Sequence, residues 1–148
     1  MGVVLRPCAG SHEWPELVRI WRSAVEATHH FLTPDQVDGF AGRFASDYFP
    51  HVELTVAEVD GRPVGFSGIA DDRLEMLFVA QDARGHGVGT VLLDAALVRI
   101  PRLLVDVNEQ NEQAVGFYEH RGFVRLGRSA TDPDGSPFPI LHLGRPGG

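Results

Sequence analysis

The run Arg84-Gly85-His86-Gly87-Val88-Gly89 lies between two apolar stretches, residues 74–79 and 90–97. That pattern predicts a strand, a short polar link, a glycine turn and a helix. The first N–H groups of a helix have no partner within it, and the helix dipole favours negative charge there. Gly85, Gly87 and Gly89 keep side chains away from those amides. The stretch is therefore either a cradle for a phosphate or pyrophosphate or a plain turn before a helix, and glycine spacing alone leaves both open.

Two familiar phosphate motifs fail here. A P-loop requires Lys-Ser or Lys-Thr after its last glycine, whereas Gly89 is followed by Thr90-Val91. A dinucleotide-binding fingerprint begun at Gly85 and Gly87 would need its third glycine at Thr90.

At 148 residues, with 43% hydrophobic and 22% charged, the chain is expected to form one globular domain spanning 1–148. Thirteen Lys plus Arg against 20 Asp plus Glu give a formal charge of −7, which argues against nucleic acid or an anionic membrane as partner. The single cysteine, Cys8, excludes an internal disulfide framework and a cysteine-rich metal site, so no metal is expected. No signal-like N-terminus and no apolar run of about 18 residues is present, and the expected compartment is the cytoplasm.

Residues 3–6 read as a first strand stopped by Pro7. Ser11 reads as an N-cap for a helix reaching about Thr28, and Thr33-Pro34 as the start of a second helix ended by Pro50. Alternation predicts strands at 53–59, 64–70 and 74–79, the first two joined by the hairpin signal Asp60-Gly61. A helix follows at 88–100, then a strand at 103–107, a helix from Asn111 ended by Gly122, and strands at 123–129 and 140–143. The order β-α-α-β-β-β-α-β-α-β-β implies an α/β (α+β) fold, a mixed sheet with helices on both faces.

Arg84-Gly85-His86-Gly87-Val88-Gly89 resembles the Arg/Gln-x-x-Gly-x-Gly/Ala signature of the GCN5-related N-acetyltransferases. Asn111-Glu112-Gln113-Ala114-Val115-Gly116-Phe117-Tyr118-Glu119-His120-Arg121-Gly122-Phe123 is similar to that superfamily's second signature, Asn-x-x-Ala-x-x-Phe-Tyr-x-x-x-Gly-Phe. Both occur in the family's order, and the resemblance covers nearly the whole chain. Residues 107–114 look closer still to a small bacterial subgroup of single-domain acetyltransferases, some of which act on protein lysines.

The resemblance implies a single-domain, mostly antiparallel seven-stranded sheet and a direct transfer from acetyl-CoA to a primary amine, on a protein lysine or N-terminus or a small molecule. It implies that the amides of 84–89 and the Thr90 hydroxyl hold the pyrophosphate. Leu77, Phe78 and Val79 would supply backbone to the pantetheine arm, and Asn111 a side-chain hydrogen bond. An attacking amine must lose a proton, the thioester oxygen needs a donor, and the departing thiolate needs a proton. Tyr118 would supply that last proton, the N–H near Val79 the donor, and Glu75, directly or through a water, the base. His29, His30 and Phe31 would border the acceptor. His86 and Asp106 read as structural or solvent-facing. The rival reading is an acetyl-CoA sensor with little catalysis.

Overall fold

The computed structural model describes residues 2–28 and 32–146. The expected order is observed: β1 (Val3–Pro7), α1 (Trp14–Thr28), α2 (Pro34–Ala41), β2 (Glu53–Val59), β3 (Arg62–Ala70), β4 (Arg73–Val79), α3 (Val88–Arg99), β5 (Leu104–Asn108), α4 (Glu112–His120), β6 (Val124–Ser129) and β7 (Ile140–Gly144). They form one seven-stranded sheet in the order β1-β2-β3-β4-β5-β7-β6. Every neighbouring pair is antiparallel except β4 and β5.

Successive strand residues point to opposite faces, and Val56 and Ala57 of β2 show which helices cover each. Val56 packs with Leu17 and Trp21 of α1, whereas Ala57 packs with Val88 and Leu92 of α3. A third cluster joins Val105 and Val107 of β5 to Val115 and Tyr118 of α4. The β2–β3 turn is made by Asp60 and Gly61, both at positive φ (53° and 77°), as the residue pair predicts.

Two local expectations are corrected. Ser11 does not cap α1; it opens a short 3₁₀ turn (Ser11–Glu13) after Gly10, with no side-chain cap. The entry is instead held by the Glu13 carboxylate, which accepts from the Ala9 amide and the Arg6 guanidinium, both at 2.9 Å. The second helix does not run to Pro50. Thr33 and Gln36 form the capping box that starts it, but it ends at Gly42, and the chain goes on as a π turn (Phe44–Tyr48) and a 3₁₀ turn (Phe49–His51). This break still turns Phe44 and Phe49 into the core, at 4% and 2% exposure.

Candidate active site

Strands β4 and β5 run parallel but pair only at Arg73 with Leu104 and Leu74 with Val105. Beyond that point they part. The Ala80 amide donates to Val64 of β3 at 2.8 Å, so alternate residues of β4 turn their backbone towards β3. Leu77 and Val79 therefore present theirs to the opening, where β5 offers no partner. A slot of about 230 Å³ occupies the gap, lined among others by Leu77, Val79, Gly89, Asn111, Phe117 and Tyr118. Both sequence signatures thus meet in one cleft. A larger opening of about 600 Å³ beside α1 and the Ala80–Asp82 turn contains neither.

The glycine turn is open in front of its glycines. Gly85 and Gly87 lie in the left-handed region (φ 82° and 79°), and a Cβ built on either meets nothing within 4 Å. Gly87 is the N-cap of α3 and supplies no side-chain cap, so the first amides of the helix face outward without one. Val88 is buried at 1% exposure, which leaves its backbone as its contribution to the turn. His86 is exposed, and its side chain borders a separate opening with Asp60 and Asp82. Arg84 reaches across to hydrogen-bond Gln113, a link between the two signatures.

Tyr118 is positioned by the way α4 ends. Phe123 donates its amide to the Tyr118 carbonyl and Gly122 to that of Glu119, with Gly122 at φ 92°. This is a Schellman motif, and its usual apolar contact is the Tyr118–Phe123 ring pair, centroids 5.4 Å apart. Tyr118 is 6% exposed, and burial pushes its phenol well above the ordinary value, so it is protonated at neutral pH. Asn111 caps the other end of the helix, accepting from the Ala114 amide at 3.2 Å.

Glu75 lies on the other side of Phe78. The register passes from Gly68–Met76 to Ile69–Leu74, so Glu75 is the extra residue of a β-bulge and has no partner on β3. A bulge re-aims a side chain out of the strand's alternation. Glu75 borders a cavity of about 340 Å³ walled by Trp21, Phe44, Tyr48 and Phe78. The same four aromatics wall an adjoining cavity of about 400 Å³ that also contains Asn108, Asp132 and Asp134. Phe78 borders all three spaces. Burial raises the Glu75 carboxyl above its ordinary value, opposed by Arg73 and assisted by Asp106.

His29, His30 and Phe31 lie outside the described residues. Sequence reasoning missed the lining roles of Gln113 and Phe117, although both stand in the second signature. The sequence points to residues 29–49 and the 132–137 link as the acceptor region, and Phe44, Tyr48, Asp132 and Asp134 from those stretches do line the two aromatic cavities. Cys8 directly follows β1, which β2 and β3 separate from β4, and burial raises its thiol. Among the described residues, no helix is long and apolar enough to cross a membrane.

Residues 21–138 match the family described as the acetyltransferase (GNAT) domain. The peptidyl-lysine N-acetyltransferase YjaB of Salmonella typhimurium is 42% identical over 132 residues, covering 88% of this chain and 90% of the relative. YjaB of Escherichia coli is 44% identical over 132 residues, covering 88% and 89%. The solution structure of apo-form YjaB from E. coli superposes with a TM-score of 0.90 at 41% identity, covering 100% of both chains. The PaiA N-acetyltransferase of Thermoplasma acidophilum, solved with coenzyme A, shares the fold at a TM-score of 0.78 and 16% identity, covering 98% of this chain and 99% of the other. The chain is an acyltransferase and belongs to the GNAT acetyltransferase family.

Proposed function

We propose that residues 1–148 act as one domain that moves the acetyl group of acetyl-CoA directly to a primary amine, with protein lysine side chains as the acceptors. The observation that carries this reading is the slot between β4 and β5, in which the glycine turn, Asn111 and Tyr118 line one cleft. The lysine acceptor is supported by the peptidyl-lysine activity in the names of the YjaB relatives. The aromatic walls suit an aliphatic stem, and Glu75 and Asp132 are the lining carboxylates not paired with Arg43, which holds Asp47 and Asp134. The cytoplasm is the proposed compartment.

Acetyl-CoA, when bound, supplies the acetyl group as a reactive thioester. The amides at the start of α3, with the Thr90 hydroxyl, would hold its pyrophosphate, and the open space before Gly85 and Gly87 fits that role. Leu77 and Val79 would add backbone hydrogen bonds to the pantetheine arm, and the Val79 amide would donate to the oxygen on which charge develops. Glu75 would take the amine proton, directly or through a water, and burial raises its carboxyl, which strengthens it as a base. Tyr118, a protonated phenol lining the slot, would give its proton to the thiolate. Cys8 plays no part, since its raised thiol lies away from the slot.

The test is CoA release in the presence of lysine-bearing peptides, polyamines, amino acids and aminoglycosides. Release that rises with lysine peptides and not with the small amines supports the proposal. Tight acetyl-CoA binding with no amine-dependent release would make the protein a sensor.

A further inference from the structure

A polar row crosses four neighbouring strands on the sheet face opposite α4: Arg73 on β4, Asp106 on β5, His142 on β7 and Ser129 on β6. Arg73 Nη1 donates to Asp106 Oδ1 at 2.7 Å. His142 Nδ1 lies 2.7 Å from the same oxygen, and His142 Nε2 lies 2.7 Å from Ser129 Oγ. A carboxylate only accepts, so Nδ1 carries a proton, and in the neutral ring Nε2 accepts from the Ser129 hydroxyl. Asp106 is thereby fixed from the β7 side, and it fixes Arg73 in turn.

The row reaches the candidate site through Arg73. Its Nε stands 4.0 Å from Glu75 Oε1, beyond hydrogen-bond distance, while its Nη1 is engaged by Asp106. The other charged or titratable groups bordering the Glu75 cavity are Asp47, His51 and Tyr48, from the segment after α2. Asp47 is itself paired with Arg43 at 2.9 Å. Among the described residues, Arg73 is therefore the one cation within 4.0 Å of the Glu75 carboxylate.

We propose that Asp106 is a positioning residue for acetyl transfer: by holding the Arg73 guanidinium over β5, it keeps that cation from closing on Glu75 and so preserves Glu75 as a base. This rests on the reading of Glu75 as the base. An ion pair at contact would lower a carboxylate by about one to three pH units, opposing the upward push of burial at this site. Glu75 follows Arg73 by two positions on β4, and the bulge that leaves it without a partner on β3 places it at the edge of the aromatic cavity.

The experiment is a titration of the Glu75 side-chain carboxyl by ¹³C NMR, assigned with Glu75→Gln, alongside kcat as a function of pH. Asp106→Asn is expected to lower the Glu75 titration by about one to three pH units and its plateau kcat by about three- to tenfold. Acetyl-CoA affinity should be unchanged. Arg73→Gln should move the titration upward, and the double variant should show no downward shift. Asp106→Glu should remain close to wild type. An unmoved titration in Asp106→Asn overturns the inference, as does a moved titration with unchanged kcat. Undiminished kcat in Glu75→Gln overturns the base reading and this inference with it, whereas a collapse of kcat in that variant with no shift in Asp106→Asn overturns the inference alone.

Discussion

Arg84 and Gln113, 29 positions apart in the chain, are hydrogen-bonded across the mouth of the slot. One belongs to the glycine turn and the other to the first turn of α4, so the pair ties together the two walls that would enclose a pantetheine arm. Gln113→Ala is expected to raise the acetyl-CoA dissociation constant about two- to tenfold, the worth of one hydrogen bond on a partly open surface. Calorimetric titration measures it, and an unaltered constant would assign the pair a structural role only.

Gly87→Asp places a negative side chain at a left-handed N-cap (φ 79°) whose front is open. Backbone strain and repulsion of pyrophosphate act together, and acetyl-CoA affinity should fall by at least about tenfold. Circular dichroism should stay native. Wild-type affinity in a folded variant would remove the turn from the binding site.

Tyr118→Phe removes one oxygen and leaves the ring in its edge-to-face contact with Phe123. The melting temperature and acetyl-CoA affinity should therefore hold. If Tyr118 is the acid, kcat falls about a hundredfold or more, and steady-state CoA release shows it.

At Gly65, β3 packs closely against Val88 and Leu92 of α3. A Cβ there would lie 3.0 Å from Val88 Cγ1 and 3.1 Å from the Phe78 carbonyl oxygen. Gly65→Ala should destabilise by about 1–3 kcal/mol, read by urea unfolding, because neither helix nor strand can yield without opening the core.

Glu13 sets an acid limit on the fold. The Arg6 guanidinium holds its carboxyl at about 2, below the ordinary 4.5. A depressed carboxyl stabilises the folded state above its unfolded value, and that contribution is lost as pH falls towards the folded one. Melting temperature should thus decline between about pH 4.5 and pH 2. Glu13→Gln should melt lower at neutral pH and show a shallower decline across that window.

Periodicity, capping and turn chemistry determined the element types and their order, because each rests on residues a few positions apart. Alternation from Glu53 to Val59 and the Asp60-Gly61 turn marked the hairpin, and Gly122 marked the end of α4 through its left-handed backbone. Local reading misjudged Ser11, where the Glu13 carboxylate serves the helix entry instead, and it ran the second helix through Gly42. The two signatures, visible as letters, named Arg84–Gly89 and Asn111 to Tyr118 as parts of one site. Only the tertiary structure decided that β7 inserts between β5 and β6, that β4 and β5 part beyond Leu74, and that Glu75 is bulged towards an aromatic cavity. The row from Arg73 to Ser129 was likewise invisible, its members lying on four strands spread along the chain. These features are matters of register between distant strands, and register follows from how whole faces pack, which no short stretch of sequence contains.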